Sequence, residues 1–590
     1  MPTRIFKFAI LIVVLWFIVL CYLGPTMFQL MEDSRKASNE LNRINNAIEQ
    51  LKTSNAKIRR QLEPSQQGAE PESTAKTLSK IDRLNAKIKK ELSSKLENAE
   101  ASITQLQSEL NKAKELNNKP KRGSNSANYE ILRRRIGNQI KEMWFLVSAS
   151  YSKLMKTLPE TAKPGFRSML ESFGEIERIT EHDFQELISM DGQQYQRDET
   201  ERKLSTLIQK RLHKLQNPKD CSAAKKLVCS LTKGCGYGCQ MHHVLYCFMA
   251  AYATKRTLVI DSNGWRYSSK GWKAYFQPVS DTCTHYGDAA EWSKNHEKEQ
   301  VVNFPIVDSL FPRPKQMPQN VPKEFYERIR QFHGHPFVWW IGQFCKYIFK
   351  YSKPIQELID KKKEEMGFRG PIVGVQVRRT DKINTEAAFH GIKEYMYWVE
   401  LYYERLKLRQ SVEKKRVYLA TDDPTVLPEA KQLYPEYEFL SDNDISKSAG
   451  LSQRYTDLSL RGVVTDIQLL SETDFLVCTF SSQVCRLAYE IMNYKHTDAS
   501  QRFRSLDDIY YFGGQEEHRV RALWSNEAKS PRQLSFDMGD ILGIAGNHWD
   551  GQAKALHHRS GKEGLYPAFK VEDVHDVADY PDYSDLDAET

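Results

Sequence analysis

The stretch Gly374-Val-Gln-Val-Arg-Arg-Thr-Asp381 decides the fold, because a β-type run over residues 371–377 ends here on two arginines and an aspartate. Open α/β sheets bind ligands at the carboxyl ends of their strands. A guanidinium suits a diphosphate, since its planar fork holds two oxygens and stays charged. Alternatively, Arg378 and Arg379 close the strand and pair with Asp381. The octapeptide alone leaves both readings open.

The same stretch opens the clearest β-α-β rhythm of the chain. Expected strands cover residues 371–377, 416–420, 437–440 and 474–478. Expected helices cover residues 394–409, 424–433, 459–471 and 482–492. This order predicts a parallel, helix-flanked sheet of the Rossmann-like kind. Another open α/β unit is expected from Cys221 onward, with strands at residues 257–260 and 301–307. The chain has no G-x-G-x-x-G fingerprint, which disfavours nicotinamide or flavin chemistry.

The two ends of the chain predict further modules. Residues 8–31 carry no charged side chain. This uncharged segment is long enough for a membrane helix across about 30 Å of hydrocarbon. Heptad repeats then predict a coiled-coil and helical stem over residues 32–217 that favours self-association. Short strands over residues 520–574 resemble an SH3 domain, with one tryptophan where such domains have two. The acidic stretch from residue 572 to the end is expected to be disordered.

Net charge and cysteines narrow the class of protein. A formal charge of +9 over 590 residues, without an arginine-aromatic array, excludes nucleic acid as an expected partner. The clustering of the cysteines predicts disulfides formed in an oxidising lumen, although six neighbouring cysteines allow many pairings. Zinc is the disfavoured alternative, because matched C-x2-C pairs are missing. The candidates are Cys221, Cys283, Cys229, Cys247, Cys235, Cys239, Cys478 and Cys485.

Several stretches together carry a family resemblance. They are Gly234-Cys-Gly-Tyr-Gly-Cys239, Trp339-Trp340, Arg378-Arg-Thr-Asp-Lys382, Ala420-Thr-Asp-Asp423, Cys478-Thr-Phe-Ser-Ser-Gln-Val-Cys485 and Ser505-Leu-Asp-Asp-Ile-Tyr-Tyr-Phe-Gly-Gly514. Through them the chain resembles the α-1,6-fucosyltransferases of N-glycans, the core fucosyltransferases. The resemblance implies a GT-B-like pair of α/β domains and a C-terminal SH3-like β-barrel. The expected order is a tail at 1–7, a signal anchor at 8–31, the stem at 32–217, the open α/β domain at 218–368, the Rossmann-like domain at 369–510, the SH3-like module at 511–574 and the acidic tail at 575–590.

The resemblance also implies a reaction: fucose moves from GDP-fucose to the 6-hydroxyl of the innermost N-acetylglucosamine (GlcNAc) of an N-glycan, with inversion and without metal or other cofactor. Arg378 would neutralise the β-phosphate. Glu386 would remove the acceptor proton, with Lys382 and Asp381 tuning it. The implied donor-binding residues are Arg378, Arg379, Asp466, Tyr267, Gly236, Gly238, Cys239, Ser482, Asp422 and Asp423. The implied acceptor-binding residues are Asp508, His548 and Glu386.

Each assignment has an ordinary structural alternative. Ser482 can be a plain N-cap, and Tyr267 a packed core residue. Asp466 can lie on a solvated helix face, and Glu386 in an exposed first turn. Two departures from the family also matter. Gln376 stands where the family motif generally has histidine. Residues 442–444 imitate the Asp-x-Asp of metal-dependent transferases, a motif that short sequences often produce by chance.

The expected setting is the Golgi membrane, in single-pass type II topology with the catalytic part in the lumen. Expected partners are GDP-fucose, N-glycoprotein acceptors, the membrane and a second copy of the chain. Two rival functions stay open. One is another fucosyltransferase using a GDP-sugar, of the α-1,2 or protein O-fucosyl kind. The other is a membrane scaffold without enzymatic activity that uses the coiled coil and the SH3-like module.

Overall fold

The computed structural model describes residues 127–380, 388–450 and 453–588, together with Arg83, Ala86 and Lys90. Residues 125–590 form one compact unit and residues 1–124 another. The predicted membrane helix and nearly all of the heptad segment lie outside the described residues. Among the described residues, no helix is long and apolar enough to span a bilayer.

Three long helices begin the described part, as the helical pattern toward residue 215 predicts. They are α1 (Ala127–Met155), α2 (Lys163–Met190) and α3 (Gln194–Gln216). Helix α1 packs against α2, and Arg197 of α3 forms a buried ion pair with Glu130 of α1 at 2.7 Å. A buried charge is tolerated when it is paired in this way.

The first sheet is parallel, with strand order β2-β1-β4-β3. Its strands are β1 (Lys226–Ser230), β2 (Thr257–Asp261), β3 (Ala290–Glu291) and β4 (Val301–Asn303). The expected strand at 301–307 was too long, because Pro305 has no N–H for the ladder and a 3-10 turn follows at Val307–Ser309. Its helices are α4 (Tyr237–Ala253), α5 (Lys323–Ile329), α6 (Pro336–Ile348) and α7 (Lys353–Met366). Trp339 and Trp340 of α6 are fully buried, so this family motif belongs to the core.

The second sheet confirms the predicted β-α-β unit. Five parallel strands lie in the order β10-β9-β6-β7-β8. Strand β6 (Ile372–Val377) is buried along its whole length, as expected for a central strand covered on both faces. The other strands are β7 (Lys415–Thr421), β8 (Tyr437–Leu440), β9 (Phe475–Cys478) and β10 (Phe503–Ser505). Its helices are α8 (Ile392–Lys407), α9 (Val426–Leu433), α10 (Asn443–Ser448), α11 (Asp457–Leu470) and α12 (Gln483–Lys495).

The C-terminal module is a five-stranded antiparallel sheet in the order β14-β13-β12-β11-β15. Its strands are β11 (Arg519–Ala522), β12 (Ile541–Asn547), β13 (Gln552–His557), β14 (Lys562–Pro567) and β15 (Val571–Val574). A bulge interrupts the pairing of β12 with β13 between Ile544 and Gly546. A small core that includes Leu534, Phe536 and Tyr566 fills it.

The expectation of a disordered acidic tail was wrong. Strand β16 (Val577–Ala578) pairs with β5 (Val321–Pro322), and a short helix α13 (Ser584–Ala588) follows. Tyr583 stacks on Tyr252 of α4 with ring centroids 4.5 Å apart. The carboxylate of Asp587 meets the buried Arg211 at 2.8 Å. The acidic composition gave the wrong prediction, because the stacking of Tyr583 on Tyr252 and the ion pair of Asp587 with Arg211 order this segment.

Candidate active site

The strand order of the second sheet reverses at β6, and open α/β sheets form a crevice at such a point. The chain runs from β6 to β7 and β8 on one side, then returns to place β9 and β10 on the other side of β6. Ligands of open α/β sheets bind at this kind of switch point, beyond the carboxyl ends of the strands. Arg378 follows β6 directly, and Ser481 and Ser482 follow β9. The sequence therefore folds to bring a predicted phosphate ligand and a helix start to the same edge.

Two helix N-termini meet beside this crevice. Helix α4 begins after Gly236, and α12 begins after Ser482. A side chain at Gly238 would lie 2.9 Å from the carbonyl carbon of Gln483, so glycine is required for the helices to approach so closely. First-turn N–H groups have no acceptor within their own helix, and the helix dipole adds positive potential there. Two such ends together suit a diphosphate.

The hydroxyl of Ser482 separates the two readings of this residue. Ser482 occupies the N-cap position of α12, yet its side chain makes no capping hydrogen bond. The side chain is buried, with 1% of its surface exposed, and its Oγ has no hydrogen-bond partner. A buried hydroxyl without a partner costs free energy. A ligand oxygen at the helix N-terminus would satisfy it.

Asp507 holds the loop between β9 and α12, a role that the sequence reasoning missed. Its Oδ1 accepts N–H bonds from Phe480 at 2.8 Å and from Ser481 at 3.5 Å, and the hydroxyl of Ser505 donates to it at 3.0 Å. The segment was recognised as a family motif, but only Asp508 within it was assigned. The Asp507 carboxylate thus holds the backbone of Phe480 and Ser481, the two residues before Ser482.

A buried polar network lies behind the two helix N-termini and was also missed. His242 of α4 directs Nδ1 at the carbonyl of Gly238, 2.7 Å away, and Nε2 at Glu490 of α12, 3.0 Å away. A carbonyl only accepts, so Nδ1 carries a proton. Tyr510 donates its hydroxyl to the same Glu490 oxygen at 2.7 Å. The network couples the positions of the two helices.

The neighbours of Arg378 hold the strand end. The backbone N–H of Arg379 donates to Asp422 Oδ1 at 2.8 Å, and its guanidinium meets Glu429 at 2.7 Å. The second oxygen of Asp422 accepts the hydroxyl of Thr380 at 2.5 Å. Asp423 accepts from the backbone N–H of Thr425 at 2.9 Å, where α9 begins. Arg379, Asp422 and Asp423 thus have structural partners at the end of β6, directly after Arg378.

Asp466 of α11 lies half-buried and accepts the hydroxyl of Tyr418 at 2.6 Å. Burial is the main cause that raises the pKa of Asp466 to about 7, against the opposing effect of the Tyr418 hydrogen bond. This is not a solvated helix face. One oxygen has a protein partner, and the carboxyl group titrates near neutral pH.

Tyr267 packs as a core residue. It is 3% exposed and makes ring contacts with Tyr237 at 5.9 Å and Tyr455 at 5.0 Å. Burial raises the pKa of Tyr267 to about 12. The ring of Tyr267 thus packs against Tyr237 in the first turn of α4.

One predicted acceptor residue, Asp508, lies close to the C-terminal module. A side chain at Gly546 would lie 3.9 Å from Asp508 Oδ1, so Asp508 approaches strand β12. His548 is exposed two residues further on. Burial raises the pKa of Asp508. Glu386, Lys382 and Asp381 lie outside the described residues, and the structure says nothing about them.

The eight candidate cysteines form four disulfides. The pairs are Cys221–Cys283, Cys229–Cys247, Cys235–Cys239 and Cys478–Cys485. The last two pairs brace the starts of α4 and α12. In the part of the chain that the structure describes, one group has metal-ligand geometry, Cys229 with Cys247 and His243. Its sulfurs are bonded to each other and offer no thiolate.

The Asp-x-Asp imitation at residues 442–444 is a helix start. Asp442 caps α10 by accepting from the N–H of Asp444 at 2.9 Å, and its other oxygen meets Lys362 at 2.8 Å. Gln376 is buried in β6, and its side-chain oxygen has no hydrogen-bond partner. The Asp442 carboxylate is thus engaged by the helix start and by Lys362.

Comparison with known proteins decides the family. The family model for α-(1,6)-fucosyltransferase N- and catalytic domains matches residues 1–511. A Drosophila melanogaster protein named α-(1,6)-fucosyltransferase is 45% identical over 454 residues, which are 76% of this chain and 73% of the relative. The chain belongs to the α-(1,6)-fucosyltransferase family. A Caenorhabditis elegans protein of the same name is 41% identical over 451 residues, 75% of this chain and 78% of the relative.

Two solved structures resemble parts of this fucosyltransferase. The crystal structure of fucosyltransferase NodZ from Bradyrhizobium matches at 20% identity over 45% of this chain and 92% of its own, with a TM-score of 0.26. The C-terminal SH3 domain of myosin IB from Entamoeba histolytica matches at 30% identity over 10% of this chain and 97% of its own, with a TM-score of 0.10.

Proposed function

We propose that this fucosyltransferase moves fucose from GDP-fucose to the 6-hydroxyl of the innermost GlcNAc of N-glycans, with inversion and without metal. The proposal of a GDP-fucose donor is supported by two helix N-termini that meet at the switch point, where Gly238 lies against Gln483. Arg378 follows β6 at the same edge. A diphosphate held there has its growing charge neutralised as the bond to fucose breaks.

Asp466 recognises guanine in this proposal. Guanine presents two adjacent N–H donors, and a carboxylate accepts both. The Tyr418 hydroxyl donates to Asp466 Oδ1 at 2.6 Å and thereby orients both oxygens of the carboxylate. Hydrogen bonds from the base favour the charged carboxylate and compensate for its burial.

Glu386 acts as the general base in this proposal, assisted by Lys382 and Asp381. It lies eight residues after Arg378 in the sequence, between the described residues Thr380 and Ala388. Inversion requires the acceptor proton to leave on the face opposite the diphosphate. Asp508 and the exposed His548 contact the acceptor glycan at the edge of the C-terminal module.

We further propose a Golgi type II membrane protein that works as a homodimer. The heptad segment supports self-association. The described part adds an apolar surface on α1 and α2, with Leu132, Ile176 and Leu187 exposed by 52%, 58% and 61%. Exposed apolar patches of this kind are typical of interaction sites. Sedimentation equilibrium of residues 125–590 tests whether this surface alone supports a dimer.

The deciding experiment incubates the luminal part with GDP-fucose and a GlcNAc-terminated biantennary N-glycan in excess EDTA. Mass spectrometry with linkage analysis should find fucose on the 6-hydroxyl of the innermost GlcNAc. Fucose that forms only after Mn²⁺ is added would refute the metal-free mechanism. Fucose on another hydroxyl or on protein would favour the rival fucosyltransferase classes.

Arg378→Ala tests whether Arg378 stabilises the transition state. Loss of a key charge-stabilising donor should cost at least about 3 kcal/mol of transition-state stabilisation, or roughly a hundredfold in kcat/KM. The matched control is Arg369→Ala, because Arg369 is exposed just before the amino end of β6. The control should keep wild-type kcat/KM. An Arg378→Ala variant with the kcat/KM of the wild type would refute this role of Arg378.

A further inference from the structure

Trp549 has a backbone conformation that needs an explanation. It lies in the turn between β12 and β13 with φ of +52°, one of two non-glycine residues with positive φ among those described. A bulky residue rarely adopts this conformation, and such outliers concentrate at functional positions. The side chain of Asn547 supports the turn by accepting the N–H of Trp549 at 2.8 Å.

The conformation directs the indole onto a buried arginine. The Arg504 guanidinium carbon lies 4.4 Å from the ring centre of Trp549, 4.2 Å from Phe145 of α1 and 3.9 Å from Trp398 of α8. Arg504 itself is 7% exposed. Three separate segments thus surround one cation through cation–π contacts, and the module is docked at this point.

The indole N–H makes a second, more specific contact. It donates to the backbone carbonyl of Asp507 at 3.2 Å. The carboxylate of the same residue accepts N–H bonds from Phe480 and Ser481, the residues before Ser482 and α12. Asp507 therefore links Trp549 in the module to the loop before α12, through one hydrogen bond on each side.

We infer that Trp549 is a positioning residue for the nucleotide site. Its hydrogen bond to Asp507 fixes the loop before α12, although Trp549 belongs to the C-terminal module and not to the second sheet. The inference rests on the proposed function, since it assumes that the loop before α12 binds the donor diphosphate. Because His548 precedes Trp549 directly, the same turn carries a proposed acceptor contact. One turn of the module then sets the geometry of donor and acceptor together.

The competing explanation is that Trp549 is only a packing anchor over Arg504. A packing role needs an aromatic ring but no indole N–H. Trp549→Phe keeps a ring against Arg504 and removes the hydrogen bond to Asp507. The matched control is Trp524→Phe in the same module, because Trp524 is 56% exposed and lies outside the arginine cage.

The test measures GDP binding by calorimetry and steady-state kinetics on the whole luminal protein. Loss of one hydrogen bond should raise the Kd for GDP and the KM for GDP-fucose about three- to tenfold in Trp549→Phe, with kcat little changed. Trp524→Phe should match wild type. Equal GDP affinity in all three proteins, or a rise only in the acceptor KM, would overturn the inference.

A second variant, Asp507→Asn, tests whether Trp549 acts through Asp507. Asp507→Asn should also weaken GDP binding, and the double variant should lose less than the two single losses combined, because both act on one loop. Additive losses would refute a shared path. Wild-type protein that transfers no fucose and binds no GDP would instead refute the proposed function, so the two failures are distinguishable.

Discussion

Replacing Ser482 with alanine gives the sharpest test of the donor site, because stability and affinity should respond in opposite directions. The Ser482 hydroxyl is buried and forms no hydrogen bond in the free protein. Its removal therefore breaks no contact. Relief of an unsatisfied buried polar group is worth about 1 kcal/mol or more, so Ser482→Ala should keep or slightly raise the free energy of unfolding.

Donor binding should suffer in the same variant. A hydroxyl that donates to a charged phosphate oxygen contributes about 1.5–3 kcal/mol. Its loss corresponds to a Kd for GDP raised by about tenfold to about a hundredfold. Calorimetry with GDP measures the affinity, and the midpoint of urea unfolding, followed by tryptophan fluorescence, measures stability.

A residue that does cap its helix provides the control. Thr456 begins α11 and accepts the N–H of Ser459 at 3.2 Å. Thr456→Ala should lose about 1 kcal/mol of stability. If Ser482→Ala behaved in the same way and kept wild-type affinity for GDP, Ser482 would be an ordinary cap and the reasoning from its unsatisfied hydroxyl would be wrong.

Two further predictions concern the same crevice. The pKa of Asp466 is raised to about 7 in the free protein, and guanine needs the carboxylate, so GDP affinity should fall as pH drops below about 7; calorimetry across pH should show this slope, and Asp466→Asn should abolish it. Gly238→Ala should lose about 1–3 kcal/mol of stability by overpacking against Gln483, whereas Gly236→Ala, with no atom within 4 Å of its added carbon, should keep wild-type stability in urea unfolding.

The sequence predicted the second sheet well because its signals are local. Most of its strands are short apolar runs, and helices α11 and α12 begin after the polar residues Thr456 and Ser482. Strand β10, which includes Arg504 and Ser505, is not such a run and was not predicted. Strand β6 was expected at residues 371–377 and covers Ile372–Val377. The tail failed for the opposite reason, since Tyr583 owes its place to Tyr252, 331 positions earlier in the chain.

The candidate site was predicted only in part, for a related reason. Arg378 and Ser482 follow strands, so their edge of the sheet could be inferred from the sequence. The network of His242, Glu490 and Tyr510 gave no local signal, because a buried histidine in an apolar helix reads as core. Likewise, nothing in the spacing distinguishes Asp507, which holds the loop, from its neighbour Asp508.

The partners of Arg379 suggest different roles for the two adjacent arginines in the proposed mechanism. Arg379 is tied to Glu429 by its side chain and to Asp422 by its backbone N–H. These contacts fix the peptide that precedes Arg379, and therefore the starting point of the Arg378 side chain. A charge-stabilising group acts best when it is already in place, since no reorganisation is then required during the reaction. In the proposed mechanism, Arg379 therefore helps to place Arg378.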